Sequence, residues 1–220
     1  EPVVALGGNG PLAQELRKAG ISVYSVRSFQ RSINPFKDIS ACFELLKILA
    51  HLKPDIVHAN SSKAGGIAGA AVLIYNAFHT KKIRLIFTAH GWAFHEQLPA
   101  WATWTRRFAS KLTSLLADVI ITVSEYDRKS AVEHRIAPLY KLVTIHTGTH
   151  TVTYKSRTTA QQTLLGREYP MVIGTIAEWN ANKAWDVLLT AFAEIHTQLP
   201  QARLAMIGSG ENKDAKLVQD

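Results

Sequence analysis

The chain has 220 residues, 47% of them hydrophobic, with a formal charge of +8 and one cysteine. At about 150 residues per domain this is material for one or two domains with a real core. No apolar run reaches the roughly 18 residues that cross a bilayer, and the opening Glu1-Pro2 does not read as a basic signal-peptide region. The lone Cys42 cannot close an internal disulfide, which fits a reducing cytoplasm. The positive charge admits a nucleic acid, an anionic membrane surface, a phosphorylated substrate or plain solubility. The basic residues are scattered, without a zinc finger, an RNP-type motif or a basic helix-turn-helix, so nucleic acid is the least favoured partner.

Short apolar runs alternate with segments of helical period. The pattern predicts a strand over 3–6, a helix over 11–19 closed by Gly20, and a strand over 22–26. A helix over 37–52 follows, with Ile39, Phe43, Leu46 and Ala50 near helical spacing, then a strand over 55–58 introduced by Pro54. A small-residue helix over 64–79, a strand over 83–88, a helix over 99–117, a strand over 119–123, a helix over 126–134 and a strand over 142–145 complete the first part. The pattern fades over 151–169 into a polar linker with room for one short helix. It resumes with a strand over 171–176, a helix over 185–198, a strand over 203–207 and a Gly208-Ser209-Gly210 turn. This beat predicts an α/β protein of βαβ units on buried parallel sheets. The expected domains are 1–150, with the linker 151–169, and 170–220 as the opening of a second domain. Right-handed crossovers bring the loops after the strands to one edge, where chemistry is sought. These are loops 7–10, 59–66, 89–95, 124–127 and 146–150.

Three loops stand out. In Ala59-Asn60-Ser61-Ser62-Lys63-Ala64-Gly65-Gly66 a strand runs into a helix start whose free N–H groups and Lys63 suit an anion. The alternative is a loop capped by Ser61 or Ser62, with small residues for close packing. In Thr88-Ala89-His90-Gly91-Trp92 a histidine follows a buried strand and can donate to a substrate oxygen or move a proton, while Gly91 lets another group come close. A histidine satisfying a buried carbonyl is the alternative. The spacing of His90 and His95 is poor for a metal, and no Cys/His/Asp cluster supports zinc. In Ala177-Glu178-Trp179-Asn180-Ala181-Asn182-Lys183 a lysine at a helix start suits a phosphate, or is an ordinary surface lysine.

Together these segments resemble bacterial glycosyltransferases of family 4. Asp55-Ile56-Val57-His58-Ala59-Asn60-Ser61-Ser62-Lys63-Ala64-Gly65 is similar to their PDIVHAHSSKAG segment, and Thr88-Ala89-His90-Gly91-Trp92-Ala93-Phe94 to their TAHGWAF loop. Ala117 to Glu125, Lys141 to His150 and Gly174 to Leu189 match three further motifs in order. The resemblance implies a GT-B architecture of two Rossmann-like, doubly wound domains, the first strand lying before Glu1 and the second domain cut short. It implies transfer with retention from a UDP- or GDP-sugar, with no metal and no cofactor beyond the donor. His90 would be the catalytic histidine. Lys183, Glu178, Thr175 and Gly174 would bind the donor, and Ser62, Lys63, Gly91 and Glu125 would line the acceptor side. The expected acceptor is lipid-linked or a glycan in surface polysaccharide assembly, with the enzyme cytoplasmic or peripheral on the inner membrane face. This chain alone is expected to be inactive. A degenerate phosphosugar- or membrane-binding relative and a GT-B epimerase remain as alternatives. Thr147-Gly148-Thr149-His150 stands where relatives read NGID, and Ala184 where they have glycine.

Helix 99–116 places Trp101, Trp104, Phe108, Leu112 and Leu115 on one stripe, with Arg106, Arg107 and Lys111 off it. The ordinary reading is a face packed on the sheet. The other is an interfacial helix that meets lipid.

Overall fold

The computed structural model describes residues 1–30, 32, 34–96, 99–149, 151–179 and 183–208. Within them every strand pairing is parallel. The chain divides into two compact units, Glu1–Gly148 and Thr149–Asp220. His150, residues 180–182 and the Ser209-Gly210 end of the expected turn lie outside the described residues.

The first unit begins with β1 (Val3–Leu6), α1 (Pro11–Lys18) and β2 (Ser22–Ser25), and β1 and β2 form a sheet of their own. Helix α2 (Pro35–Leu52) starts where Asn34 accepts a hydrogen bond from the Lys37 N–H at 3.1 Å and Pro35 supplies a preset φ. Then follow β3 (Ile56–Ala59), α3 (Ser62–Phe78), β4 (Arg84–Ala89), α4 (Ala100–Leu116), β5 (Val119–Thr122), α5 (Glu125–Glu133) and β6 (Leu142–Thr144). These strands form a four-stranded sheet in the order β3-β4-β5-β6. Its core holds Leu85, Phe87, Ala89, Ile120 and Leu142 from the sheet, with Ala68, Ala71, Val72 and Tyr75 from α3.

Two glycines set how closely the layers meet. A Cβ on Gly65 would sit 2.7 Å from Thr113 Cγ2 and 2.9 Å from Phe87 Cδ2. One on Gly69 would sit 2.9 Å from Leu116 Cβ. So α3 is wedged between β4 and α4 at backbone distance, which only small residues permit. The partner face of α4 is correspondingly slim, burying Ser110, Thr113 and Ser114. Apart from Leu116, which meets Gly69, the large apolar residues of α4 lie outside. Trp101, Trp104, Phe108, Leu112 and Leu115 are 52% to 74% exposed, which overturns the expectation that this stripe packs on the sheet. Helix α4 is tied in its second turn and just past its end. Arg106 donates to Ala93 O at 3.2 Å and pairs with Glu96 at 2.6 Å, and Lys141 Nζ donates to Ala117 O at 2.7 Å.

The second unit holds α6 (Arg157–Leu165), β7 (Met171–Ile176), α7 (Trp185–Gln198) and β8 (Ala202–Ile207), with β7 and β8 paired along six residues. Helix α6 occupies the stretch read as a linker. It starts at the Ser156 cap and ends at Gly166 with φ 72°, a left-handed stop suited to glycine.

Substituting Gly65→Val is expected to destabilise the first unit by about 1–3 kcal/mol through overpacking, beyond any gain from losing a helical glycine. The urea midpoint of the purified variant measures this; an unchanged midpoint would show that α3 is free to retreat. A second expectation concerns Glu44. Its carboxylate accepts from the Ser28 hydroxyl at 2.6 Å, the Arg27 N–H at 2.7 Å and the Ser28 N–H at 3.2 Å. The Ser28 hydroxyl first, then the two N–H groups, hold its pKa below the usual value. A lowered folded pKa means the tie is whole above the unfolded value of about 4.3 and weakens as pH falls through the folded value. Hydrogen exchange at the Arg27 and Ser28 amides should lose protection on acidification in the native protein, while Glu44→Gln should lack this acid dependence.

Candidate functional site

The parallel pairing puts the loops after β3, β4, β5 and β6 side by side at the carboxyl edge of one sheet. Ser61 caps α3 by accepting from the Ala64 N–H at 3.2 Å. Its neighbour Ser62 is exposed at the first turn. Lys63 turns back into the protein. Its Nζ pairs with Asp38 at 2.6 Å and donates to Gln30 O at 2.9 Å and to Ser32 O. The cation expected to wait at this helix start thus clamps the loop between β2 and α2.

His90 is exposed directly after the buried Ala89 that ends β4. The residues behind it are fixed. Trp92 is buried and donates from Nε1 to Asp127 O at 2.9 Å, and Phe94 is buried beside it. His95, at the end of the 3-10 turn Ala93–His95, shares a 2.7 Å hydrogen bond with Ser130 Oγ and stands 4.0 Å from Asp127. Gly91 has φ 126°, a backbone region L side chains avoid, and no atom of the described chain lies within 4 Å of where its Cβ would be. Backbone conformation, rather than close approach within the chain, is what calls for glycine there. His90 is therefore an exposed imidazole on an anchored loop.

After β5, Ser124 caps α5, accepting from the Asp127 N–H at 3.0 Å and donating to Asp127 Oδ2 at 2.6 Å. Glu125 pairs with Arg128 at 2.7 Å. That guanidinium first, and Thr144 after it, draw the Glu125 pKa below its ordinary value, so it stands ionised at neutral pH. Two further histidines reach this edge that sequence reasoning did not single out. His58 Nε2 shares a 2.7 Å hydrogen bond with Thr88 Oγ1, and His146 Nδ1 lies 3.2 Å from Val123 O. The signal for His58 lay in the register, which sets β3 against β4.

In the second unit Gly174 and Thr175 lie in β7, and the space beside Gly174 is open to 4 Å among the described residues. Beyond the strand, Trp179 and Trp185 stack at 4.6 Å, and Trp185 Nε1 donates to Glu178 O at 3.1 Å. A Cβ on Gly208 would come within 1.9 Å of Ala177 O, so the end of β8 closes on the same loop. Lys183 is exposed just before α7. Ala184, next to it, has φ 50° and ψ 47°. That left-handed conformation is one glycine adopts freely, and it costs alanine about 1–2 kcal/mol. A shallow concavity on α7 is lined by Asp186, Thr190 and Glu194, the wrong charge for a diphosphate. Among the described residues no cluster of three His, Cys, Asp or Glu side chains could hold a metal.

Parallel βα units with loops gathered at one sheet edge are a Rossmann-like arrangement, and the chain superposes on proteins of the GT-B class of fold. The Anabaena protein Alr3699/HepE, solved in complex with UDP and glucose, has this fold. It superposes with a TM-score of 0.75 at 18% identity, over 99% of this chain and 56% of HepE. A UDP-N-acetylglucosamine 2-epimerase superposes at 0.57 and 12% identity, over 93% of this chain and 54% of the epimerase. At these identities the likenesses show the fold alone. The chain spans about half the length of either structure. A Klebsiella pneumoniae protein, described as an uncharacterized 41.2 kDa protein in the cps region, is 28% identical over 110 residues, 50% of this chain and 30% of that protein. Residues 2–152 match Glycosyltransferase Family 4, and the chain belongs to that family.

Replacing Ala184→Gly is expected to raise the stability of the second unit by about 0.5–1 kcal/mol, the left-handed cost removed less the entropy glycine adds to the unfolded chain. Thermal unfolding measures it, and a destabilised variant would show that Ala184 does not hold this backbone in solution.

Proposed function

We propose that the whole protein transfers a sugar, with retention, from a UDP- or GDP-sugar to a lipid-linked or glycan acceptor in surface polysaccharide synthesis. The observation that carries this reading is His90, an exposed imidazole held by Trp92, Phe94 and His95 at the carboxyl edge of a parallel sheet. Family membership and the UDP and glucose bound to HepE favour a nucleotide sugar as donor. The cps region named for the Klebsiella relative favours a polysaccharide product.

In this reading His90 donates a hydrogen bond to the donor sugar. Lys183 and the start of α7 meet the diphosphate, where a cation and free N–H groups stabilise the charge that builds on the departing phosphate. Gly174 leaves room for the nucleotide against β7, and Thr175 and Glu178 complete the donor side. Ser62, Gly91 and Glu125 face the acceptor, with Lys63 acting through the loop it clamps. No metal and no cofactor other than the donor are required. Glu125 is the one carboxylate of this set at the sheet edge and is kept ionised by Arg128, so it suits hydrogen bonding to acceptor hydroxyls.

In the whole protein, His90→Ala should lower turnover by about 10²-fold or more with little change in donor affinity. Lys183→Ala should weaken donor binding by about 1.5–3 kcal/mol, the worth of a charge-assisted hydrogen bond to phosphate. Calorimetry with UDP- and GDP-sugars and initial rates separate the two effects. Turnover at the native level in both variants removes the assignment.

A further inference from the structure

Glu178 lies just past the end of β7, and Trp185 opens α7. Trp185 Nε1 donates to Glu178 O at 3.1 Å, so the indole closes the neck of the segment between them. Its ring also stacks on Trp179, with centroids 4.6 Å apart and planes within 17°. Trp179 is backed in turn by the end of β8, since a Cβ on Gly208 would sit 3.1 Å from its Nε1. The Ala177 N–H donates to Ile207 O at 3.0 Å just before it. One line of contacts thus runs from β8 through Trp179 to Trp185. Between this closed neck and Lys183 lies a single residue, Ala184, at φ 50° and ψ 47°. Alanine keeps that left-handed conformation where its surroundings impose it. Among the described residues no side chain caps α7, so capping does not impose it. The Leu188 N–H donates to Ala184 O at 3.1 Å, but that bond belongs to the first turn of the helix and forms wherever α7 does. The tether from outside the helix is the Trp185 indole.

We propose that Trp185 is a positioning residue for Lys183. It holds the strained turn at Ala184, and with it the lysine and the first N–H groups of α7, where they meet the diphosphate of a nucleoside diphosphate sugar. The inference rests on the donor reading of Lys183. A lysine side chain is long and rotamer-rich, and each binding event must order it again. If its backbone also wandered, that ordering would cost more, so a fixed turn beneath it raises affinity without adding a contact to the ligand. The indole suits this task through two separate properties. Its face stacks on Trp179, and its N–H reaches back across the neck of the loop to Glu178 O. A phenylalanine could supply the first but has no N–H for the second.

The test is calorimetric titration of the whole protein with UDP and with GDP. Trp185→Phe keeps a ring against Trp179 and removes the donor to Glu178 O. It should weaken binding of the diphosphate that the native protein takes by about fivefold, the scale of one hydrogen bond. Lys183→Ala should weaken it by about tenfold or more, the scale of a charge-assisted bond. Adding Trp185→Phe to Lys183→Ala should then cost nothing further, because a turn with no lysine on it has nothing to position. An indole that only supports the fold would cost the same factor in both backgrounds, and so would general damage from the substitution. Equal losses in the two backgrounds therefore overturn the proposal. Native affinity in Trp185→Phe overturns it too, and where Lys183→Ala is weak the donor reading stands without it. Native affinity in Lys183→Ala, or native protein that binds neither diphosphate, removes the donor reading and the positioning role together.

Discussion

Gly65 and Gly69 bring the backbone of α3 against Phe87 and Leu85 of the sheet and against Thr113 and Leu116 of α4. Much of the first unit follows from that closeness. Because α3 has almost no thickness on two sides, β4 is covered tightly and ends in a buried Ala89, which sets where His90 emerges. Because α4 comes equally close, its inner face carries Ser110, Thr113 and Ser114, with Leu116 fitted against Gly69. Most of the bulk of α4 lies on its outer side. One steric demand thus places a candidate catalytic side chain at an edge and an aromatic stripe on a surface.

The loops at the sheet edge divide the work between anchoring and contact. Trp92, Phe94 and His95 are spent on holding the β4 loop to α5, through Asp127 and Ser130. Lys63 is spent on Asp38 and on two carbonyls of the preceding loop. His90, Ser62 and the ionised Glu125 are among the residues left exposed there. An imidazole on a fixed support loses little entropy when it meets a ligand, which is what positioning in catalysis requires.

The alternation of apolar runs with helical segments made the parallel α/β order legible, and strand 171–176 and helix 185–198 fall where the sequence placed them. Periodicity reports that a helix has an apolar face but not which way the face points. For α4 the deciding information lay in the glycines of α3, more than thirty residues away in sequence. Lys63 shows the same limit. Its charge was visible, but Asp38 and the carbonyls that take it up belong to a loop brought near only by the fold. Ala184 is the reverse case. Departure from glycine was visible in the sequence, and the backbone at φ 50° gives it a physical meaning.

Helix α4 is fastened through Arg106, in its second turn, to Ala93 O and Glu96, and just past its end by Lys141 to Ala117 O. Ala93 opens the 3-10 turn that follows His90, and Lys141 leads straight into β6. These ties join the helix, the turn beside His90 and the last strand of the sheet into one framework.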